Sequence, residues 1–253
     1  IYKDLISHLP LIMSRHLEIV CAKPVLRRGS NKLDWDNWGV RDIAILSDYD
    51  GNFIKEKSNL ISYFTGSRAS GSTQMVGRAF STDNGITWQK HHENPVLSTS
   101  EDSWDSKVAS TPWVIKKDNL YFMYYRGSSD ACFKDAIGVA TSTDGIKFKK
   151  YDANPILTSE NFSSIRQNPC TMGVLNAVSD YNGNIIVLFE ANESEHEKRG
   201  QIFAAISNDG FNFNSLNGGK PIFSCRDVKS WPVRAVCNPR LVKAGNGIFM
   251  LAF

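Results

Sequence analysis

One phrase recurs four times along the 253 residues: Lys23-Pro24-Val25-Leu26, Asn94-Pro95-Val96-Leu97, Asn154-Pro155-Ile156-Leu157 and Lys220-Pro221-Ile222-Phe223. Its spacing of roughly 60 to 70 residues marks an internal repeat, which constrains a fold strongly because each unit must bury its apolar face against the next. Downstream of each phrase stands an aromatic, Trp35-Asp36, Trp104-Asp105, Phe162 or Trp231. A strand-like run follows it: Val40 to Leu46, Val108 to Lys116, Ile165 to Leu175, Val236 to Val242. Turns rich in Gly and Asn come next, at Asp50-Gly51-Asn52, Lys117-Asp118-Asn119, Asn182-Gly183-Asn184 and Gly245-Asn246-Gly247; these residues tolerate the positive φ of hairpin connections. Second strands then follow at Leu60 to Thr65, Leu120 to Tyr125, Ile185 to Phe189 and Ile248 to Phe253.

In the first three units a third strand ends in a shared Ser and Asp turn: Ser81-Thr82-Asp83-Asn84-Gly85, Ser142-Thr143-Asp144-Gly145 and Ser207-Asn208-Asp209-Gly210. The aromatic after each turn opens a fourth short strand. Four antiparallel strands per unit, repeated, predict an all-β protein built as a β-propeller. The expected units are about 23–93, 94–153, 154–219 and 220–253, the last incomplete, so that the chain is truncated in its fourth repeat. Residues 1–22 are expected to form a lead-in segment and 23–253 the propeller domain.

Composition excludes several classes. With 42% hydrophobic and 22% charged residues the chain has the makeup of a globular protein, and no stretch approaches the roughly 18 apolar residues of a membrane helix. A net charge of +3, spread evenly, provides no electrostatic footprint for nucleic acid. The five cysteines, Cys21, Cys132, Cys170, Cys225 and Cys237, form no C-x-x-C pair, and the five histidines no H-E-x-x-H, so neither a metal nor another cofactor is expected. No leader segment is evident at the N-terminus, and a cytoplasmic location is the expectation.

The order N-P-[VI]-L, W-x-[DS], strand, Gly/Asn turn, Y-x-x-Y strand and S-x-D-G-x-x-[WF] resembles the five-bladed propellers of glycoside hydrolase families 43 and 32. Their relatives include the family 130 mannoside phosphorylases. Ser81 to Trp88 also resembles the S-x-D-x-G-x-T-W Asp box of six-bladed sialidases, a structural turn. The resemblance implies a carbohydrate substrate and a five-bladed ring of four-stranded blades. It also implies two carboxyl groups, one protonating the leaving oxygen and one acting as nucleophile or base.

Aligning the inner strands puts Asp42 level with Thr111, Asn168 and Asn238. Asp42 resembles the first-blade aspartate of these families and is expected to be the nucleophile or base. The alternative is a structural ion pair with Arg41 or Arg240. Glu190 occupies the place of the acid glutamate, and its apolar flanks Phe189 and Ala191 would raise its pKa. The third acid of the pattern, an Arg-Asp-Pro element in family 32, is unmatched. Thr111 and Asn168 stand where an Asp is expected, with Asp36 and Asp105 as substitutes of unassigned place. Arg41, Arg126, Arg166 and Arg240, with Thr111, Asn168 and Asn238, are expected to bind substrate, and Trp38 to stack on a sugar ring. The function so implied is a glycoside hydrolase, with a glycoside phosphorylase or a non-catalytic carbohydrate-binding propeller as alternatives.

Overall fold

The structure is a computed structural model that describes residues 24–68, 72–129, 135–165, 172–191, 200–227, 236, 238–245 and 248–252. The lead-in over 1–22, Arg166, Asn168, Trp231 and every cysteine but Cys225 lie outside these residues.

The first blade comprises β1 (Gly39–Ile45), β2 (Ser47–Asp48), β3 (Lys55–Glu56), β4 (Asn59–Arg68), β5 (Thr73–Ser81) and β6 (Gln89–Lys90). The second has β7 (Val108–Lys117), β8 (Leu120–Ser128), β9 (Ala136–Ser142) and β10 (Lys149–Lys150). The third has β11 (Met172–Ser179), β12 (Ile185–Ala191), β13 (Gln201–Ser207) and β14 (Asn214–Ser215), and the hairpin β15 (Arg240–Gly245) and β16 (Ile248–Ala252) follows. Each blade is an antiparallel meander, ordered β1-β4-β5-β6, β7-β8-β9-β10 and β11-β12-β13-β14. These are the four-stranded blades of a β-propeller. The third inner strand, expected over Ile165 to Leu175, instead runs from Met172 to Ser179, and Ile165 is buried in the loop before it.

The recurring phrase has a definite task. The Asn94 carboxamide accepts from the Arg78 N–H at 2.8 Å and donates to the Arg78 carbonyl at 2.9 Å. Asn154 does the same to Val139, both at 2.9 Å. A side-chain amide thus pairs like a peptide with the third strand of its blade, and the chain then bridges back at Leu97, Leu157 and Phe223. In the Ser and Asp turns, the hydroxyls of Ser81, Ser142 and Ser207 donate to Asp83, Asp144 and Asp209. They accept from Gly85, Gly145 and Gly210, which hold φ of 93°, 70° and 85°. The extra residue in the first copy leaves this clamp intact, and hydrogen bonds from Thr87 hold Asp83 at a pKa of about 2.

The blade tryptophans pack within their own blades. Trp35 lies over Gly66 and Gly77, and Trp104 over Gly127 and Gly138, where any Cβ would collide with an indole. In the third blade Phe162 takes that place, 5.0 Å from Phe189 and 5.6 Å from Phe203; the smaller ring leaves room for Ala191 and Phe203 at the two glycine positions. Asp36 pairs with Lys90, and buried Asp105 takes Lys150 at 2.5 Å and the Tyr125 hydroxyl at 3.0 Å. Ser163 and Ser215 stand at those acid and lysine positions in blade three. Contact between blades is made by alternate apolar residues such as Tyr63 and Met123, then Phe122, Tyr124 and Val187, then Leu188 and Leu241.

The inner strands are tied together at one end. The turn after β2 lies across the C-terminal ends of the other inner strands. Ser47 and Asp48 pair with Ile115 and Lys116, the Ser179 N–H donates to the Tyr49 carbonyl at 2.9 Å, and Asp50 takes Lys243 at 2.6 Å.

Candidate functional site at the open end of the axis

The N-terminal halves of the inner strands lie at the opposite end. Strands β1, β7 and β11 are bulged there, between Arg41 and Ala44, Ser110 and Trp113, and Val174 and Asn176. A bulge turns the chain locally and re-aims a side chain. Asp42, Thr111 and Asn238 all adopt left-handed backbone, with φ of 52°, 46° and 51°. Asp and Asn tolerate this region, whereas a β-branched Thr is strained in it. Such strain persists where surrounding structure enforces it and is concentrated at functional sites.

Asp42 is exposed and accepts from its neighbour, Arg41 Nε to Asp42 Oδ2, at 3.2 Å; Arg41 Nη2 also donates to Gln74 Oε1 at 2.6 Å. Trp38, at the start of the same edge, is 59% exposed. The Thr111 N–H donates to Thr65 Oγ1 at 2.8 Å, while its own buried hydroxyl has no partner among the described residues.

Glu190 lies on β12 opposite Gly173, at the register position that Thr65 and Arg126 hold in the preceding blades. It accepts a hydrogen bond from the Asn238 backbone N–H, the counterpart of the bond from Thr111 to Thr65. Burial raises its pKa, and the Asn238 N–H offsets this in part. Gly200 makes the fit possible: a Cβ there would lie 2.8 Å from Glu190 Oε1 and 2.7 Å from the Val236 carbonyl. By register Asp42 and Glu190 therefore lie toward the same end of their blades, on β1 and β12.

The arginines are engaged with the protein. Arg126 Nη2 donates to buried Asp135 Oδ1 at 3.0 Å, with the Arg126 Nε 2.8 Å from Oδ2 in the same ion pair, and Asp135 also accepts from the Met172 N–H at 3.2 Å. Burial raises the Asp135 pKa against the pull of Arg126. Arg240 stacks on Trp113 at 4.8 Å, and Trp113 Nε1 donates to the Ala177 carbonyl at 3.0 Å. This joins blade two, blade three and the hairpin. Arg41, Arg126 and Arg240 thus each have a protein partner, Asp42, Asp135 and Trp113 respectively.

Asp36 and Asp105, the substitutes for a third acid, are committed to their lysines away from the bulges. Arg166 and Asn168 lie outside the described residues. Counting from the third bulge, Val174 holds the level of Asp42 and Thr111, because the loop after Phe162 is longer than its counterparts. Two features escaped the sequence reading: Asp135, with no local motif to mark it, and Gly200, whose service to Glu190 is a contact between strands. Among the described residues no group of three His, Cys, Asp or Glu is placed to hold a metal.

The family description "Glycosyl hydrolases family 32 N-terminal domain" matches residues 30–164. Among solved structures, a glycoside hydrolase superposes with a TM-score of 0.66 and 16% identity, over 87% of this chain and 66% of its own. Fructan 1-exohydrolase IIa from Cichorium intybus superposes at 0.54 and 16% identity, over 70% and 32%. A structure from the GH130 family of mannoside phosphorylases, which contains glycoside hydrolases that target β-1,2 mannosidic linkages in Candida mannan, superposes at 0.57 and 18%, over 81% and 60%. The chain thus spans 66% or less of the length of these structures, and the likeness is one of fold. The family match runs through the first two blades and includes both left-handed bulge residues they carry, Asp42 and Thr111, so this chain belongs to glycosyl hydrolase family 32 through that family's N-terminal domain.

Proposed function

We propose that the protein is a glycosidase whose site is the open end of a five-bladed ring, with Asp42 and Glu190 as the working carboxyl groups. The observation that carries this reading is Glu190, a half-buried carboxyl group with a raised pKa near the C-terminal end of β12. A general acid must hold its proton near neutral pH and release it to the departing oxygen, and desolvation is the simplest way to prepare it. Asp42, exposed on its bulge and steadied by Arg41, is the carboxylate for the other face of the sugar. It acts as nucleophile if the two groups stand roughly 5 Å apart across the substrate, or as base for water at roughly 6.5 to 9.5 Å. Trp38 offers an indole face at the rim for a sugar ring.

Fructosides are the first substrates to test, since the Cichorium intybus structure is a fructan exohydrolase. Thr111 in place of the third acid favours a second reading, a propeller that binds glycans without cleaving them. The experiment is sugar release from sucrose, inulin, levan, mannosides and aryl glycosides, with and without phosphate, by wild type, Asp42→Asn and Glu190→Gln. Phosphate-independent release lost in both variants is the expected result. Release that requires phosphate indicates a phosphorylase, and binding without release the second reading.

A further inference from the structure

A cleft separates the outer edge of blade two from that of blade three, with a cavity of about 350 Å³ lined by Tyr151, Pro155, Phe211 and Asn214 among others. Its volume is that of a small-ligand site. Tyr151 and Phe211 form its floor, ring centroids 4.8 Å apart at 43°, and Phe211 is anchored from beneath by Phe122 at 5.6 Å. Both rings are partly exposed, and the carboxamides of Asn212 and Asn214 project at the surface beside them. Asn212 Nδ2 is held by Asp209 at 2.7 Å, which leaves its oxygen as an acceptor.

The preceding cleft, between blades one and two, is an internal control. The two are superimposable in register: Tyr63 donates to the Gly145 carbonyl as Tyr124 does to Gly210, and Lys90, Lys150 and Ser215 pair with equivalent alanines. At the positions of Tyr151, Phe211, Asn212 and Asn214 that cleft carries His91, Ile146, Lys147 and Lys149. The second cleft has therefore exchanged two cations for two neutral amides, and an imidazole and an aliphatic group for two aromatic rings. Aromatic faces bordered by neutral donors and acceptors match a sugar ring, with its apolar C–H face and its rim of hydroxyls.

We propose that this outer cleft is a second carbohydrate-binding site, remote from Asp42 and Glu190, that holds a neutral glycan chain. The proposal rests on the reading of the protein as one that acts on glycans. Its test is native affinity electrophoresis through gels containing inulin, levan, arabinan or mannan, using wild type, Tyr151→Ala, Asn214→Lys and Glu190→Gln. Retardation by at least one polysaccharide is expected, with affinity about tenfold lower in Tyr151→Ala and in Asn214→Lys, equal to about 1.4 kcal/mol. Glu190→Gln should be retarded like wild type, and cleavage of short oligosaccharides should be unchanged in Tyr151→Ala and Asn214→Lys. Asn214 is exposed on an edge strand, so Asn214→Lys tests the cleft without threatening the fold. Retardation by none of the four, or equal retardation of wild type and cleft variants, overturns the proposal. Cleavage without retardation refutes the cleft alone, whereas retardation without cleavage refutes the glycosidase and leaves the cleft standing.

Discussion

Gly127→Ala should destabilise the second blade, and adding Trp104→Phe should repair it. A Cβ at Gly127 collides with the Trp104 ring and lies 2.8 Å from Asp105 Cβ. Neither neighbour can yield freely, because Asp105 is held by Lys150 at 2.5 Å and by the Tyr125 hydroxyl at 3.0 Å. Overpacking of this kind costs about 3 kcal/mol, at the upper end of such insertions. For a chain of this size that lowers Tm by roughly 6 to 12 °C. Trp104→Phe alone removes ring volume and should cost about 1 to 2 kcal/mol. The double variant reproduces the pairing that blade three already uses, Phe162 with Ala191, so it should be no less stable than Trp104→Phe alone. The cycle predicts a coupling of about 3 kcal/mol, read by calorimetry and urea unfolding of the four proteins. Costs that add to within about 0.5 kcal/mol would show that the indole does not dictate the glycine.

Lys150→Ser should cost about 3 kcal/mol by stranding buried Asp105, and the pair Asp105→Ser with Lys150→Ser, which copies Ser163 and Ser215, should recover most of it in urea titrations. Thr111→Asn should stabilise by about 1 kcal/mol, because Asn accepts φ of 46° with less strain than Thr; a lower urea midpoint would refute the strain argument. Glu190 has a folded pKa above the ordinary 4.5, so its favourable contribution is present at low pH and disappears as pH rises through the folded value. Glu190→Gln should consequently be more stable than wild type at pH 7, with the difference vanishing below pH 4.5; a Tm difference independent of pH would contradict the burial of that carboxyl group.

The blades were legible because their signals are local. The Asn-Pro phrase, the Trp-Asp pair and the Ser and Asp turn each act within a few residues or within one meander, and they recur in phase. What was hidden depends on contacts across sequence: Asp36 reaches Lys90, Arg126 reaches Asp135, and Glu190 meets Gly200 and the Asn238 N–H. The pairing of Arg126 with Asp135 was hidden because a sequence shows charges without their partners. The level of the third inner strand was misplaced for a related reason, since a longer loop after Phe162 shifts the strand without leaving a mark in its hydrophobic pattern.

The most direct test of the two-carboxylate account is the dependence of kcat/KM on the leaving group. A good leaving group such as dinitrophenolate departs without a proton, whereas a sugar or alkyl alcohol needs one. Glu190→Gln should lose about 10² to 10⁴ in kcat/KM with the alcohol leaving group and little with dinitrophenolate, while Asp42→Asn loses activity on both. Equal loss on the two substrates in Glu190→Gln, or an Asp42→Asn variant as active as wild type, would contradict the roles assigned to these residues.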